Sequence, residues 1–376
     1  MEPKIRFKGF EGEWKEEQLS EISSSIASGK NIDHKGSYPL YGSTGIIGTT
    51  DKPYHEGPML LVARVGANAG FLQLVNEKCG VSDNTLIVKP KDPVTDNYLF
   101  QYFKFFNLNR FIYGSGQPLI TGGMLKKMPV RYGLKEERES LIDYFTTLDS
   151  QISASTSRLA SLKQMKAASL QAMFPQEGET VPKIRFKEFE GEWKKVSFKD
   201  FTFHAGTKNR DNLPLESYSI SNEFGFIPQN EQFENGGTMT QADKRMYYIV
   251  SPNSFAYNPA RINVGSLGYY EGKEDVIVSS LYEVFKTDDT ICDKFLLYWF
   301  KTDIFQKMIE QFQEGGVRLY FFYDKMCKCS LMRPPLAEQQ AIASYFTSLD
   351  RQISLQSQRL EKLKQIKSAC LDKMFV

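Results

Sequence analysis

Short polar loops that contain glycine recur along the chain, and their side chains are of the types that read the edges of bases. In the first half these are Ser43, Thr44, Arg64, Asn68, Ser82, Asn84, Ser115 and Gln117. In the second half they are Lys208, Asn209, Arg210, Asn222, Asn258, Arg261, Asn263, Ser279 and Arg318. Arginine pairs bidentately with guanine, asparagine or glutamine pairs with adenine, and glycine lets backbone amides approach a phosphate. We expect this set to contact DNA, although any one polar, glycine-rich loop is a common feature of surfaces.

Residues for other kinds of chemistry are missing or poorly spaced. The chain has three scattered histidines, His34, His55 and His204. Cys327-Lys-Cys329 lacks the second thiol pair of a zinc site. There is no GxxxxGK[ST] loop for ATP and no GxGxxG after a strand. Tyr257–Ala260 only partly matches the Asn-Pro-Pro-Tyr motif of adenine methyltransferases, and Glu-x-Lys triplets such as Glu271–Lys273 arise by chance. We expect no catalytic residue, no metal ligand and no cofactor in this chain.

The elements that position these loops occur twice. Pro3–Trp14 reads PKIRFKGFEGEW, and Pro182–Trp193 reads PKIRFKEFEGEW. Further on, Glu137–Phe174 realigns with Glu338–Phe375, and half of the positions are identical. A chain built from two copies of one plan presents two related surfaces, which suits a bipartite ligand such as duplex DNA.

The blocks between the repeated segments resemble one another more faintly. Ala63–Val65 aligns with Ala260–Ile262, so we expect Arg64 and Arg261 to be equivalent residues that follow a strand. The blocks read as mixed α/β. Strands are predicted at Met59–Val65, Phe71–Val75, Asn84–Lys89, Phe255–Asn258 and Val276–Lys286, and helices at about Asn97–Tyr113 and Asp293–Phe312.

Each repeated C-terminal segment carries a heptad pattern of apolar residues. The two seams are Leu141, Phe145, Leu148, Ile152, Leu159, Leu162 and Ile342, Phe346, Leu349, Ile353, Leu360, Leu363. Ser155 and Gln356 are polar breaks at matching positions. A single helix of about 55–60 Å with one narrow apolar stripe needs a partner. Because a two-fold relation between the duplicates reverses the second helix, we predict that the two helices pair antiparallel and fix the gap between the blocks. Two helices buried separately would be the alternative.

The predicted fold class is α/β (α+β), with two similar mixed α/β recognition domains joined by two long antiparallel coiled-coil helices in a pseudo-two-fold internal repeat. The predicted boundaries are a first recognition domain at 1–134 with its cassette at 3–14, a first spacer helix at 135–175, a second recognition domain at 176–336 with its cassette at 182–193, and a second spacer helix at 337–376.

Composition is that of a globular protein. The 376 residues are 41% hydrophobic, and the net charge of +2 argues against a highly basic, indiscriminate DNA coat. No apolar run is long enough to span a membrane, and the N-terminus lacks the apolar core of a signal peptide. Five irregularly spaced cysteines fit free thiols in a reducing compartment. We therefore expect a cytoplasmic protein.

In its order of parts the chain resembles the specificity subunit of type I restriction–modification systems. The PKIRFKxFEGEW opening, the YFTxLDxQIS run and the following KLKQxK…MF helix carry the resemblance in both copies. It implies that each variable block is a target recognition domain for one half of a split double-stranded DNA sequence. It also implies a chain without catalytic activity of its own, which docks methyltransferase subunits and restriction (translocase) subunits. The partner subunits would use S-adenosylmethionine, ATP and Mg.

Repetition within the helices suggests how such partners would dock. Lys163, Gln164 and Lys166 recur in the second helix as Lys364, Gln365 and Lys367, and Tyr144, Thr146, Asp149 and Gln151 recur as Tyr345, Thr347, Asp350 and Gln352. We take these positions as solvent-facing and expect two identical partners to dock on them. The competing readings are a self-contained tandem DNA-binding protein, a self-sufficient methyltransferase or nuclease, and a coiled-coil scaffold that binds no DNA.

Overall fold

A computed structural model describes residues 2–30, 35–108, 118–222, 225–232 and 243–376. The chain divides into two compact units, each considered by itself below. The first comprises Met1–Arg158 and Gln356–Val376, and the second comprises Leu159–Leu355. In the described residues, no helix is long and apolar enough to cross a membrane.

The first unit is built mainly from short strands. Its elements in chain order are β1 (Lys15–Gln18), α1 (Leu19–Ile22), β2 (Ser23–Ser28), β3 (Tyr38–Gly42), β4 (Gly45–Thr50), β5 (His55–Glu56), β6 (Met59–Ala63), β7 (Leu72–Val75), β8 (Lys78–Val81), β9 (Thr85–Pro90), α2 (Pro93–Phe106), α3 (Gly122–Lys126), β10 (Pro129–Tyr132) and the first part of the long helix α4 (Lys135–Ala172). The unit is completed by the end of a second long helix.

The second unit repeats this order. After the end of α4 come β11 (Lys194–Ser197), β12 (Thr202–His204), β13 (Thr207–Lys208), β14 (Ser217–Ser221), β15 (Gly225–Pro228), α5 (Gln229–Gln232), β16 (Tyr248–Val250), β17 (Ser254–Tyr257), β18 (Leu267–Tyr270), β19 (Val276–Val278), β20 (Glu283–Thr287), α6 (Asp293–Trp299), α7 (Asp303–Phe312), α8 (Tyr323–Met326), β21 (Ser330–Arg333) and the first part of α9 (Leu336–Met374).

Sheet topology confirms the internal repeat. The first unit has sheets ordered β2-β9-β6-β7 and β4-β3-β8-β5, and the second has β12-β20-β17-β18 and β15-β14-β19-β16-β13. In both units a two-stranded ribbon joins the strand after the cassette to the strand before the long helix, β1 to β10 and β11 to β21. One parallel pair recurs as well, β3 with β8 and β14 with β19.

Alternation along the central strands explains the layers. Successive side chains of a strand point to opposite faces of the sheet. Leu60 and Val62 lie in the cluster that also contains the helix α2, whereas Leu61 joins a separate cluster with residues of β8. In the second unit Phe255 and Ala256 divide in the same way. Each unit is therefore a helix layer, a central sheet and a second sheet.

The long helices pair antiparallel, as the two-fold relation between the duplicated segments predicts. In the first unit Tyr144 contacts Cys370 at 3.3 Å, Asp149 contacts Lys367, and the Gln356 amide donates to Ser155 Oγ at 2.7 Å. Residue numbers rise along one helix while they fall along the other. The two polar breaks of the seams thus meet and satisfy one another.

The same helix contacts recur in the second unit. Lys166 and Asp350 form an ion pair of 2.5 Å between side chains, and Ser169 Oγ and Tyr345 Oη lie 2.9 Å apart. These pairs are the counterparts of Lys367 with Asp149 and of Cys370 with Tyr144. The identity of the two helices is therefore explained in part by reciprocal internal contacts.

Helix ends supply aromatic side chains to the core of each unit. Phe375 packs against Trp14, Tyr98 and Phe145 in the first unit. Phe174 packs against Trp193, Phe295 and Phe346 in the second. Both phenylalanines are almost fully buried. A change of either to Ala would therefore leave a large cavity in the core.

The cassettes close over the helix starts through one repeated ion pair. Arg6 Nε donates to Glu137 at 2.6 Å, and Arg185 Nε donates to Glu338 at 2.7 Å, each with a second bond to the other carboxylate oxygen. Both glutamates are buried. Each arginine also donates to a cassette carbonyl, Gly12 or Gly191, at 2.6 Å. The neighbouring carboxylate raises the pKa of each arginine further.

Several element boundaries differ from the sequence predictions. The region 276–286 forms two strands, β19 and β20, because Ser279 accepts a turn bond from Tyr282. The helix predicted at 293–312 breaks into α6 and α7, where the Thr302 hydroxyl donates to the Trp299 carbonyl at 2.7 Å. The helix predicted from Asn97 begins earlier, at Pro93, and the last residues of its predicted range lie outside the described part of the chain.

Asp96 gives a pH-dependent prediction for the first unit. This residue is 2% exposed, its Oδ1 has no hydrogen-bond partner in the part of the chain that the structure describes, and burial with help from Asp92 raises its pKa to about 6. Because this pKa lies above the value of about 3.9 for an unfolded aspartate, stability falls as pH rises between those values. Asp96→Asn should stabilise the protein at pH 7.5 by about 1–2 kcal/mol and flatten this part of the pH profile of thermal unfolding.

The equivalent residue of the second unit is the control. The Asp293 carboxylate accepts a hydrogen bond from Tyr269 at 2.7 Å and contacts Thr287. Asp293→Asn should therefore destabilise the protein, by about 1–2 kcal/mol. A lower unfolding temperature of Asp96→Asn at pH 7.5 would contradict the account of Asp96.

Candidate nucleic-acid interface

In the first unit, three turns that carry predicted contact residues meet at one edge of the two sheets. Ser43 Oγ donates to the Asn84 carbonyl at 3.2 Å, and the Arg64 amide donates to the same carbonyl at 2.9 Å. The Ser82 amide donates to Tyr41 at the end of β3. Thr44, Asn68 and Asn84 are exposed there, whereas Ser82 is buried. Residues far apart in sequence thus share one surface.

Arg64 is held by its backbone on both sides. Its carbonyl accepts from Ile120 at 2.8 Å, and the next turn is joined to the same segment by a bond from Gly66 to Pro118. The side chain is half-buried, and its Nε is buried without a hydrogen-bond partner among the described residues. A buried N–H without a partner is costly, so the guanidinium group is suited to an acceptor from a ligand.

The predicted equivalence of Arg64 and Arg261 is wrong. Phe321 donates to Pro259 in the second unit as Ile120 donates to Arg64 in the first, so Arg64 corresponds to Pro259. Arg261 lies two residues further along the turn. It is exposed, and its amide donates to Asn258 at 2.9 Å. The two turns are equally long, since Val62 pairs with Leu72 and Tyr257 pairs with Leu267. An alignment without coordinates matched the identical Ala-Arg letters, which lie at different positions of the two turns.

The corresponding edge of the second unit is organised by the turn from Asn258 to Ser266. The amide of Asn258 donates to Ser266 across the turn, and Ser266 Oγ donates to Ile220 at the end of β14, near the exposed side of Asn222. Asn263 is exposed on the turn. Asn258 is half-buried, and its side-chain oxygen accepts from Ala260 at 3.0 Å. The turn therefore presents Asn222, Arg261 and Asn263 together.

Lys208 and Ser279 reach the same end of the second sheet. Lys208 is paired with Tyr248, Tyr248 with Val278, and Ser279 follows directly. The Lys208 ammonium lies 6.0 Å from the centre of the Tyr248 ring. Arg210 is exposed nearby in sequence, but Asn209 is buried with both side-chain groups bonded to the backbone of Leu213. Asn209 therefore stabilises the loop, and its side chain is not presented to a ligand as the sequence predicted.

Arg318 lies on a separate hairpin whose base is the pair of backbone bonds between Glu314 and Tyr320. The bond from Phe321 to Pro259 ties this hairpin to the turn that carries Arg261. Arg318 is exposed. The predicted contacts Ser115 and Gln117, on the aligned loop of the first block, lie outside the described residues.

Sequence reasoning missed a set of exposed apolar side chains on these loops. They are Ile46, Ile47, Val264, Leu281 and Val317. Apolar side chains at such an edge can contact the methyl group of thymine. The available signal was an apolar residue set between glycines, as in Gly45-Ile-Ile-Gly48 and Gly316-Val317.

The charges beside the second edge are partly compensated. His204 Nε2 lies 3.3 Å from Glu283, the first residue of β20. Burial raises the pKa of Glu283, and the nearby His204 opposes that rise. Arg245 is paired with Asp243 at 2.8 Å. Arg261 and Arg318 form no ion pair with other described residues. Among the described residues no group of three or more His, Cys, Asp or Glu could hold a metal ion.

A family model described as the type I restriction modification DNA specificity domain matches residues 11–164 and again 191–365. Those residues are most of the chain. The chain belongs to this family. It carries the specificity domain twice, in agreement with the repeated sheet order of its two units.

Individual relatives are more distant. The chain is 27% identical over 159 residues to the type I restriction enzyme EcoprrI specificity subunit of Escherichia coli, and 23% identical over 154 residues to a putative type I specificity subunit of Haemophilus influenzae. The first match covers 39% of this chain and the second 38%. In both cases the match spans 40% of the relative's length.

Solved structures share the fold. The S subunit of a type I restriction–modification system from M. genitalium superposes with a TM-score of 0.64 at 13% identity, over 100% of this chain and 99% of that one. A structure described in connection with assembly and conformational transition of the type I system gives 0.51 at 14% identity, over 97% and 98% of the two chains. The architecture of two recognition domains with long helices is thus that of specificity subunits.

The two arginines lead to different predictions for DNA binding by this specificity protein. Arg261→Ala should weaken specific binding by about 1–3 kcal/mol if it contacts a base, or lower the log–log salt slope by about one unit if it contacts a phosphate. Arg64→Ala should weaken binding as well, with little loss of stability, because its Nε has no protein partner to lose. Fluorescence anisotropy across a salt series measures both quantities.

Arg245→Ala is the matched control, since this exposed arginine is already paired with Asp243. It should leave affinity and salt slope unchanged. If Arg64→Ala and Arg261→Ala behave like this control, both arginines are structural.

Proposed function

We propose that the chain is the DNA-recognition subunit of a type I restriction–modification complex and that each unit reads one half of a bipartite, asymmetric double-stranded target. The observation that carries the proposal is that one sheet order recurs while the turns at its edge differ. The first edge offers Arg64, Asn68 and Asn84, and the second offers Asn222, Arg261 and Asn263. Equal frames with unequal contact residues suit two unequal half-sites.

The exposed residues at the sheet edges and the lack of catalytic motifs favour this proposal over a scaffold or a self-sufficient enzyme. A scaffold that binds no DNA gives no reason for exposed arginine, asparagine and apolar side chains to collect at one edge of each unit. A self-sufficient methyltransferase or nuclease would need a catalytic or cofactor motif, and the sequence contains no glycine-rich nucleotide loop. A self-contained tandem DNA-binding protein would use the same edges. Its difference from the proposal lies in whether partner subunits bind, which the complex mass below decides.

Exchange of one block tests the modular reading. Residues 15–133 lie between the first cassette and α4, so replacing them with the corresponding block of another family member keeps the Arg6–Glu137 pair and the helix seam. We expect the methylation pattern of cells that carry the complete system to change in one half-site and keep the other. A swap that alters both half-sites would contradict the proposal that each unit recognises one half of the target.

The partner surfaces need a correction to the sequence argument. Tyr144, Asp149 and Lys166 do not face solvent freely, since each contacts the other helix within its unit. Their repetition is therefore explained without a partner. The repeated positions that remain exposed on the helices are Thr146, Gln151, Lys163 and Gln164 with Thr347, Gln352, Lys364 and Gln365.

An exposed apolar side chain accompanies the repeated lysine and glutamine in each helix. Met165 is 50% exposed, and Ile366 at the matching position is 36% exposed. Ile5 and Ile184 of the cassettes are likewise exposed in both copies. Apolar residues ringed by polar ones are typical of protein interfaces. These two equivalent patches fit two methyltransferase subunits, one for each unit.

The partners would supply the chemistry. The methyltransferase subunits would use S-adenosylmethionine and extrude the target adenine from the stack, because a base must leave the helix to be methylated. Restriction subunits would use ATP and Mg for cleavage. This chain, as the non-catalytic member, would set where that chemistry happens.

Native mass measurement of the complex tests the two-surface proposal. The wild-type chain should carry two methyltransferase subunits. Met165→Asp should leave one, and Met165→Asp with Ile366→Asp should leave none, because a buried charge without a partner weakens an interface strongly. Leu355→Asp is the control, since Leu355 is 56% exposed on the same helix as Ile366 while Ala154 occupies the matching position of the first helix. One partner per wild-type chain would end the proposal.

A further inference from the structure

A cavity of about 600 Å³ opens in the second unit beside the turn that carries Arg261. Its rim includes Asn222, Gly265 and Gly268 from the recognition edge. Its wall also includes Lys166 of α4, Lys301 between α6 and α7, and Thr302 at the start of α7. The break between these two helices therefore forms part of the wall, and two ammonium groups lie on it.

Of these two lysines, Lys166 is paired with Asp350 and Lys301 is not paired with a described carboxylate. Asp350 uses one oxygen for Lys166, at 2.5 Å, and the other to accept a hydrogen bond from Tyr298, at 3.0 Å. Lys301 lies 5.4 Å from the centre of the Tyr298 ring and forms no ion pair with another described residue. Desolvation by the cavity wall and repulsion from Lys166 lower the pKa of Lys301, and Asp350 only partly opposes this.

The first unit shows the same residues in a neutralised arrangement. Lys104 corresponds to Lys301, Asp149 to Asp350 and Gln101 to Tyr298. Lys104 lies 3.3 Å from Asp149, which also binds Lys367. One carboxylate thus contacts both lysines there. Tyr298 donates to Asp350 as Gln101 donates to Asp149, at 3.2 Å, but Lys301 makes no matching ion pair with a described residue and lies near the Tyr298 ring instead.

Other carboxylates on the cavity wall are already engaged. Glu271 is paired with Lys294 at 2.7 Å, and Asp303 accepts from the Gln171 amide at 2.7 Å. The floor is apolar and includes Ile262, Leu297 and Phe305. Lys301 is exposed and therefore accessible to an anion that enters the cavity.

We propose that this cavity binds a phosphate group of the DNA backbone beside the half-site of the second unit, with Lys301 as its main contact. The inference rests on the proposed DNA-reading function and adds a specific backbone contact to it. The shared lining places Lys301 next to the residues that would read bases. Gly265 is exposed and has no side chain, which lets a sugar–phosphate chain approach. The contact exists in one unit only, since Lys104 is neutralised by Asp149.

The test compares Lys301→Gln with the matched variant Lys104→Gln in the full chain with its methyltransferase partner. The ligand is an unmethylated duplex that carries the sequence identified from the methylation pattern, and its binding is measured over a salt series. Lys301→Gln should weaken binding about tenfold at low salt and lower the log–log salt slope by about one unit, without altering the recognised sequence. Lys104→Gln should leave the slope unchanged. Thermal unfolding of both variants checks that they are folded.

The possible outcomes separate this inference from the proposed function. Failure of the wild-type complex to bind any duplex specifically overturns the function itself. Specific wild-type binding with an unchanged slope for folded Lys301→Gln overturns the cavity assignment alone. Inorganic phosphate provides the remaining arm. If it stabilises the wild type but not Lys301→Gln while the DNA salt slope is unchanged, the cavity is a site for a free anion and the DNA assignment is wrong.

Discussion

One buried ion pair in each unit holds the rest of the architecture in place. Arg6 grips Glu137, and Arg185 grips Glu338, at the first turn of a long helix. Removing either partner would leave a charge buried without compensation, which costs several kcal/mol. The cassette must also turn back so that Gly12 and Gly191 can accept from the arginines, with both glycines at positive φ. This explains why the PKIRF…FEGEW sequence recurs with a single change.

Each unit consists of a frame, which the ion pair holds together, and of the sheets that carry the predicted contact residues. The frame consists of the cassettes, the ribbons that follow them and the long helices. Its side chains bond to and pack against one another, so few of them can change without loss of a contact. In the sheets, the turns contact one another mainly through backbone hydrogen bonds, such as those to the carbonyls of Asn84 and Pro259. Backbone bonds are indifferent to side-chain identity, so the turns can vary without loss of the fold. Specificity can therefore change while assembly stays the same.

The frame could be predicted from the sequence and much of the site could not. Heptad spacing predicted that the helices pair, and the duplication predicted that they pair antiparallel. The matching breaks at Ser155 and Gln356 contact each other. The strands at 59–63 and 254–257 were visible as apolar runs. By contrast, Arg64 was misaligned with Arg261 because identical Ala-Arg letters stand at different positions of two equally long turns. The burial of Asn209 depends on a loop closure between Asn209 and Leu213 that no periodicity reveals. The predicted Ser115 and Gln117 contacts remain predictions.

The origin of each unit's aromatic core has a consequence for synthesis on the ribosome. The second unit is one continuous stretch of chain, from Leu159 to Leu355, and all of its core residues, Phe174 included, are made in order. The first unit is discontinuous, because Phe375 packs beside Trp14 and Tyr98. The unit translated first is therefore completed last. Its apolar pocket stays open while all of the later residues emerge, and a chaperone that shields such a surface would act on the nascent N-terminal half.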